Sequence, residues 1–236
     1  TRYADAQFAD PAQIQRLQNR LLHDHVRHAA GNSPFYRDLF THERLRPEYI
    51  RSIDDLTALP FTTKRDMTER NVAFLAAPWE EVTDICLTSA TTGNIPTKLF
   101  LTQMDLARLA FNESVAFETA GLTATDTLVV GAALDRCFMA GLAYFLGAAN
   151  LKCAVVRLGA ANPEQHVRTI RDLCATALVG VPSFLRKIAD CATAQGLDPG
   201  QMGLRKIIAI GEPIRDASFK LLPAAERLEN LFQAPI

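Results

Sequence analysis

Short apolar runs alternate with helix-like segments through the second half of the chain, and this alternation limits the fold more than any other feature. The apolar runs predict four strands, at Thr127–Ala132, Lys152–Val156, Ala177–Val181 and Lys206–Ile210. Helices are predicted to follow these strands in turn, at Phe138–Gly147, Pro163–Cys174, Ser183–Ala194 and Asp216–Leu222. A last strand is predicted at Leu228–Gln233. Continuous apolar strands separated by helices are typical of a parallel sheet covered on both faces, so the predicted class is α/β.

The first part of the chain carries mostly helical signals. Pro11–Ala30 has apolar residues at helical spacing, and the segment 32–36 predicts a turn with an aromatic anchor. Two sequences match the capping box that begins a helix, Ser52-x-x-Asp55 and Thr63-x-x-Asp66. Two further strands are predicted, at Val82–Leu87 and Leu99–Leu101. We therefore expect a helical segment over residues 1–80 that packs on the core, and an α/β region over residues 81–236 that binds a nucleotide and an acid.

Charge and length exclude several classes of partner. The chain has 236 residues and a net charge of −1, so there is no electrostatic case for nucleic acid or an anionic membrane surface. No apolar run approaches the ~20 residues of a membrane span, and residues 1–10 do not resemble a secretory signal. Apolar residues make up 48% of the chain, enough for a sizeable core. We therefore expect a cytoplasmic protein.

Cysteine and histidine spacing does not predict a metal site. The five cysteines are widely spaced and contain no C-x-x-C pair, which is typical of reduced thiols rather than of zinc ligands or a redox motif. Three histidines crowd one N-terminal segment, at His23, His25 and His28. Their spacing adds no carboxylate ligand, so we interpret them as part of a solvated helix face. No metal ligand is predicted within this chain.

The segment 88–98, Thr-Ser-Ala-Thr-Thr-Gly-Asn-Ile-Pro-Thr-Lys, lies between the two strands predicted in the first part. It combines five hydroxyl groups with a glycine, a proline and a lysine. Backbone N–H groups and hydroxyls in such a loop can surround an anion, most obviously a polyphosphate, and lysine adds a positive charge. Clusters of serine and threonine also mark ordinary turns. These residues alone leave both interpretations open.

Three common motifs are absent. The hydroxyl-rich loop fails the P-loop pattern G-x-x-x-x-G-K-[ST], because Asn94 follows Gly93 and Leu99 follows Lys98. No strand is followed by G-x-G-x-x-G, which counts against a nicotinamide-dinucleotide fold. Ser183 follows a predicted strand but lacks the second glycine of the nucleophile elbow G-x-S-x-G.

The loop nevertheless resembles the phosphate-binding loop of the adenylate-forming superfamily, whose pattern is roughly [ST]-S-G-T-T-G-x-P-[TK]. Ser33-Pro-Phe-Tyr-Arg37 and Leu59-Pro-Phe-Thr-Thr-Lys64 resemble the N-terminal region of phenylacetate–coenzyme A ligases, as does the helix start at 102–105. The segment 210–213, Ile-Gly-Glu-Pro, resembles the G-x-E-P segment that lines the adenine pocket in that group. The resemblance runs from Gln13 to the end of the chain and implies the N-terminal part of the large domain of such an enzyme.

The resemblance also implies a function. It implies that an aromatic carboxylic acid is activated with ATP to an acyl-adenylate, which then forms a thioester with coenzyme A. The implied nucleotide-binding residues are Ser89, Thr91, Thr92, Gly93 and Lys98 around the phosphates, and Gly211, Glu212 and Pro213 around the adenine. The implied acid pocket is lined by Arg136, Phe138, Met139, Ala140, Gly141, Pro182 and Ser183. Catalytic residues are not assigned. A small-molecule acid and ATP are thus the expected partners, and relatives suggest a homodimer.

Some of these residues have simpler interpretations. Phe138 and Met139 suit either an aromatic acid or plain core packing. A surface role is favoured for Arg136 over contact with a ligand. The placement of the loops is independent of the resemblance, because the carboxyl ends of parallel strands bring 135–141, 182–183 and 211–213 to one edge of the sheet.

The chain departs from the family pattern in the loop. Ala90 stands where the family has glycine, and one extra residue lies between Gly93 and Pro96. If that position requires a positive φ, the methyl group costs about 1 kcal/mol or blocks the phosphate; with ordinary backbone angles alanine is harmless. An alternative function is therefore an atypical adenylating or nucleotide-binding relative that lacks the thioester step.

The chain also stops at Ile236, before three elements that the family pattern would supply. These are a glutamate that helps bind Mg²⁺, an aspartate that holds the ribose, and a C-terminal domain with a catalytic lysine. We therefore expect the Mg²⁺ ligand to lie beyond Ile236 and this chain alone to be incomplete for catalysis.

Overall fold

Two helices joined at Ser33 begin the fold. In the computed structural model, which describes residues 6–88, 96–135 and 137–236, helix α1 spans Pro11–Asn32 and helix α2 spans Pro34–His42. The buried Ser33 hydroxyl accepts a hydrogen bond from the Tyr36 N–H at 3.4 Å and donates one to the Ala73 carbonyl at 2.9 Å. The turn predicted over 32–36 is therefore wrong, because a serine cap followed by proline at the first helical position begins a helix there.

Both predicted capping boxes form. The Asp55 carboxylate accepts from the Ser52 N–H at 2.8 Å, and the Asp66 carboxylate accepts from the Thr63 N–H at 2.8 Å. The first box opens a short 3-10 helix over Ile53–Ala58, and the second opens helix α3 over Lys64–Glu69. Further 3-10 helices lie at Ala6–Phe8, Pro47–Tyr49, Asn71–Phe74 and Trp79–Glu81. Strands β1 (Val82–Leu87) and β2 (Lys98–Thr102) then pair antiparallel, as two of the predicted strands.

A four-stranded parallel sheet follows, and it confirms the predicted α/β class. Helix α4 (Gln103–Thr119) precedes the sheet. The strands are β3 (Thr127–Gly131), β4 (Ala154–Arg157), β5 (Ala177–Gly180) and β6 (Lys206–Ala209), in the order β4-β3-β5-β6. The remaining helices are α5 (Met139–Asn150), α6 (Pro163–Asp172), α7 (Pro182–Ala194) and α8 (Pro223–Phe232), with a 3-10 turn at Pro199–Gln201.

The sheet separates two apolar cores, since successive residues of each strand point to opposite faces. Val129, Leu178 and Ile207 face a cluster completed by α6, α7 and α8. Leu128 and Val179 face the other cluster, which includes residues of α4 and α5. All of these strand residues are buried, which explains why the strands read as continuous apolar runs in the sequence.

Two predicted elements near the end of the chain are wrong. Residues 216–222 do not form a helix, because the Asp216 carboxylate accepts from the N–H groups of Ser218 and Lys220 and closes a turn instead. The predicted strand at Leu228–Gln233 belongs to helix α8. Its buried residues, Ala225, Leu228 and Phe232, recur at helical spacing.

The chain divides into two units, Thr1–Gln103 and Met104–Ile236. The first unit holds α1 to α3 with the β1–β2 hairpin, and the second holds the parallel sheet. The boundary that the sequence predicts at residue 80 stays a prediction. Over residues 6–88, 96–135 and 137–236, no helix is both long enough and apolar enough to cross a membrane.

Candidate functional site

The carboxyl ends of β3, β5 and β6 lie level at one edge of the sheet. Gly131 pairs with Gly180, and Gly180 pairs with Ala209. The loops that leave this edge hold Phe138, Pro182–Ser183 and Gly211–Pro213, and so the edge collects the loops that the sequence predicted would meet. Ligands of open parallel sheets bind at this edge, which makes it the candidate site of the second unit.

A direct contact joins the loops after β5 and β6. The Ser183 hydroxyl donates to one oxygen of the Glu212 carboxylate at 2.5 Å, and the Ser183 N–H donates to the other oxygen at 3.0 Å. The N–H belongs to the first turn of α7, where the helix leaves backbone donors unpaired and favours a negative charge. Glu212 therefore caps α7 from the neighbouring loop. The sequence placed Ser183 and Glu212 in two different pockets, and the structure brings them together.

Gly211 enables this contact. Its φ is +74°, a conformation that side-chain-bearing residues rarely adopt, and an added Cβ would lie 3.2 Å from Val181 Cγ1. Gly211, Glu212 and Pro213 are all exposed, so the loop presents its surface to solvent apart from the bond to Ser183. The glycine sets the turn that directs Glu212 towards α7.

The loop after β3 leads into α5 through Phe138. Phe138 precedes the first residue of α5 and is 49% exposed, so it is not a core residue. Met139 and Ala140 are half-buried, while Gly141 is buried against the backbone of the preceding loop. An added Cβ at Gly141 would overlap the Ala133 carbonyl, with its carbon at 2.7 Å. The start of α5 therefore needs glycine for a close backbone approach.

The hydroxyl-rich loop of the first unit has a well-defined base. The Thr88 N–H donates to the Thr97 carbonyl at 3.0 Å, and the Thr97 N–H donates to the Thr88 hydroxyl at 3.1 Å. Asn71 holds the backbone of Lys98 through two hydrogen bonds, one to its carbonyl at 2.8 Å and one from its N–H at 3.3 Å. The Lys98 side chain is exposed beside this base.

Several predicted site residues lie outside the described residues. They are Ser89, Thr91, Thr92 and Gly93 of the hydroxyl-rich loop, the departures Ala90, Asn94 and Ile95 beside them, and Arg136. Their predicted roles stay predictions. Across the part of the chain that the structure describes, no group of three or more His, Cys, Asp or Glu residues could hold a metal ion.

The sequence did not single out His166, which is buried close to the carboxyl edge. Its Nδ1–H donates to the Asn162 carbonyl at 3.1 Å, and its ring packs edge-on to Phe184, with the ring centres 5.0 Å apart. Burial lowers the pKa of His166, and backbone carbonyls offset part of that effect, so the imidazole is neutral near pH 7. The sequence offered one indication of this buried position, because His166 lies about one helical turn after Asn162, the residue that caps α6.

The fold is that of the adenylate-forming coenzyme A ligases. A solved 2-hydroxyisobutyryl-CoA ligase in an open conformation, in complex with 2-HIB-AMP and CoA, superposes with a TM-score of 0.85 over 95% of this chain and 49% of that chain, at 21% identity. The same ligase in its thioesterification state gives a TM-score of 0.84. At this level of identity the likeness concerns the fold alone.

The sequence comparison is more specific. The chain is 30% identical over 220 residues to the phenylacetate–coenzyme A ligase of Pseudomonas putida, which covers 90% of this chain and 50% of that protein. It is also 30% identical over 223 residues to the enzyme of Escherichia coli (strain K12), with 93% and 50% covered. No family model matches. The chain is thus a homologue of phenylacetate–coenzyme A ligases that spans about half the length of these curated relatives, which confirms the resemblance read from its motifs.

Proposed function

We propose that the protein is an acid–thiol ligase, which activates a carboxylic acid with ATP and passes the acyl group to coenzyme A. The observation that carries this proposal is the junction of Ser183 with Glu212 at the carboxyl edge of the sheet. It places the loop proposed for adenine beside the loop proposed for the acid, in a chain similar to phenylacetate–coenzyme A ligases over 90% of its length.

Nucleotide-binding roles are proposed for one segment of each unit. Gly211, Glu212 and Pro213 form the adenine side, where their exposed surface is free to meet a planar base. Ser89, Thr91, Thr92 and Gly93 surround the β- and γ-phosphates, and Lys98 supplies a positive charge. The hydrogen-bonded base of the loop at Thr88 and Thr97 supports this role, because a fixed stem limits the entropy lost when a loop closes on an anion.

The acid is proposed to bind beside the start of α5 and α7. The half-exposed Phe138 ring supports an aromatic acid, since aromatic rings pack favourably edge-to-face or offset. Met139, Ala140 and Gly141 continue this wall, and Pro182–Ser183 form the opposite one. Arg136 is proposed to meet a second polar group on the acid.

The proposed chemistry joins two anions. An oxygen of the acid attacks the α-phosphorus of ATP, a new C–O–P linkage forms, and the bond to pyrophosphate breaks. The thiol of coenzyme A then loses its proton to solvent, its sulfur forms a bond to the acyl carbon, and AMP leaves with the oxygen. The first step needs positive charge around the phosphates and alignment of the reactants. Lys98 and the backbone and hydroxyl donors of its loop are proposed to supply both.

Mg²⁺ is not assigned to residues of this chain. Across the described residues, no group of three or more His, Cys, Asp or Glu side chains could hold a metal ion. A cytoplasmic location and a homodimer are proposals for the whole protein, and light scattering of the purified protein tests the second.

The proposed activity is tested by ATP–pyrophosphate exchange. The protein in its complete length is offered phenylacetate, benzoate, 2-hydroxyisobutyrate and acetate in turn, and thioester formation is followed after addition of coenzyme A. We expect exchange that depends on the acid and is fastest with an aromatic one. Absence of both exchange and ATP binding with the whole panel would contradict the proposal.

Ala90 favours a second candidate, an atypical adenylating or nucleotide-binding relative that lacks the thioester step. Product analysis separates the two. Acyl-AMP that accumulates in the presence of coenzyme A supports this second candidate, whereas consumption of acyl-AMP with release of AMP supports the first.

A further inference from the structure

Ser183 directs both of its hydrogen-bond donors to one acceptor. Its N–H and its hydroxyl reach different oxygens of the Glu212 carboxylate, at 3.0 and 2.5 Å. Such two-point contacts fix orientation as well as distance, and bonds to an ionised acceptor are stronger than neutral ones. With its hydroxyl committed to Glu212, Ser183 acts on the site through that residue.

Among the residues that the structure describes, the loop that carries Glu212 has few other anchors. The last backbone bond of the sheet on this side runs from the Ile210 N–H to the Gly180 carbonyl at 3.1 Å. The next backbone bond along the chain accepts at the Ile214 carbonyl, from the Leu222 N–H at 2.8 Å. Between them lie the exposed residues Gly211, Glu212 and Pro213. The contact with Ser183 therefore holds the middle of a short loop whose two ends are fixed by backbone hydrogen bonds.

We propose that Ser183 is a positioning residue of the nucleotide site, which holds Glu212 and with it the loop 211–213 against the start of α7. This inference rests on the proposed function, in which that loop forms the adenine side.

A direct role of the Ser183 hydroxyl in the acid pocket makes a different prediction. In that case, its removal would change the KM for the acid, or the preference among acids, and leave the KM for ATP unchanged. A positioning role predicts the reverse split. The two roles are therefore separable by kinetics with both substrates varied.

The test compares three variants of the protein with the parent. Ser183→Ala removes the hydroxyl and keeps the N–H, Ser183→Thr keeps both donors, and Ser218→Ala makes the same change at an exposed serine in a turn of the same unit. Loss of one bond to an exposed charged group predicts a rise of about three- to tenfold in the KM for ATP for Ser183→Ala. Ser183→Thr should restore most of this loss, and Ser218→Ala should equal the parent.

A double-variant cycle with Glu212→Ala gives the decisive comparison. If Ser183 acts through Glu212, Ser183→Ala has no further effect on ATP affinity once Glu212 is gone. Amide hydrogen exchange across 210–214, which needs no turnover, should speed up in Ser183→Ala and not in Ser218→Ala. The inference would be overturned if Ser183→Ala left both the KM for ATP and the hydrogen exchange unchanged, or if the two substitutions had independent effects in the cycle. The proposed function would still stand in either case, provided that the parent protein turns over. A parent without ATP binding overturns both.

Discussion

Lys206 Nζ donates to the Asp126 carboxylate at 2.8 Å, at the amino edge of the sheet opposite the candidate site. Asp126 precedes β3 and Lys206 begins β6, so the ion pair spans the intervening strand β5. The residue before β5, Thr176, donates its hydroxyl to the same carboxylate at 2.7 Å. Three neighbouring strands are thus tied together at their starts by one fully buried carboxylate.

Replacing that carboxylate should destabilise the second unit. Asp126→Asn removes the charge that Lys206 neutralises and turns one acceptor oxygen into a donor, which leaves hydrogen-bond partners unpaired. We expect a loss of about 2–4 kcal/mol in the free energy of unfolding. Amide hydrogen exchange of β3 and β5 measures this loss. Fluorescence of Trp79, the single tryptophan of the sequence, would report on the first unit instead. Asp190→Asn, in an exposed i,i+4 pair with Arg186, is the control and should lose less than about 1 kcal/mol. Equal losses in both variants would contradict this role for Asp126.

The same carboxylate predicts the direction of acid sensitivity. Burial alone would raise the pKa of Asp126, but hydrogen bonds from Lys206, Thr176 and Thr123 outweigh it and hold the pKa well below its ordinary value. The unfolded chain then takes up the proton more readily, so this stabilisation is complete above the unfolded pKa of about 3.9 and is lost as the pH falls further. The difference in stability between the parent and Asp126→Asn should shrink from pH 6 to pH 3. A difference that is constant over this range would show that the charge of Asp126 is not the cause.

Gly147 allows α4 and α5 to pack closely, because there is no room for a side chain at this position. A Cβ at this position would overlap the Glu113 side chain and lie 2.9 Å from the Glu113 carbonyl carbon. Gly147→Ala should therefore push the two helices apart and lower the free energy of unfolding by about 1–3 kcal/mol. Gly31→Ala is the matched control, because an added Cβ there meets nothing within 4 Å and alanine favours a helix. If Gly147→Ala left the free energy of unfolding unchanged, the two helices would be able to move apart without loss of stability.

The sheet was predictable from the sequence because its strands are buried on both faces. Ala177–Gly180 is buried at every residue, so periodicity and composition agree there. The end of the chain was less predictable. The apolar residues of 228–233 predict a strand, although their spacing over a short segment also fits the helix that forms. Asp216 is predicted to begin a helix, but its carboxylate closes a turn instead.

The site was predictable only in part, for a different reason. Strand order brings the loops of β3, β5 and β6 to one edge, and that placement followed from the α/β class alone. The pairing of Ser183 with Glu212 depends on the positive φ of Gly211, which redirects the loop. No sequence pattern specifies which way such a turn faces, and so two residues assigned to separate pockets proved to be partners.

Lys98 should matter for ATP but not for folding. Its backbone is held by Asn71, independently of its side chain. Lys98→Gln should therefore keep the thermal stability of the parent and raise the KM for ATP about tenfold, because a charge-assisted bond to phosphate is lost. Lys187→Gln, an exposed lysine on α7, serves as the control. If both variants have the KM of the parent, Lys98 is not the charge partner of the phosphates.

A substitution at Gly141 tests whether the start of α5 forms part of the acid pocket. A Cβ at Gly141 overlaps the Ala133 carbonyl, so Gly141→Ala must displace either the loop after β3, which ends at Phe138, or the first turn of α5. Small displacements of groups that orient a substrate reduce rates strongly, and we expect kcat/KM for the acid to fall by roughly tenfold or more. The KM for ATP should change little, because the loop 211–213 is anchored elsewhere. Gly147→Ala provides the comparison, since it strains the other end of the same helix: it should lower stability and spare the KM for the acid. Parallel losses in the acid and ATP constants of Gly141→Ala would instead indicate general damage to the fold and remove the support for an acid pocket at this helix start.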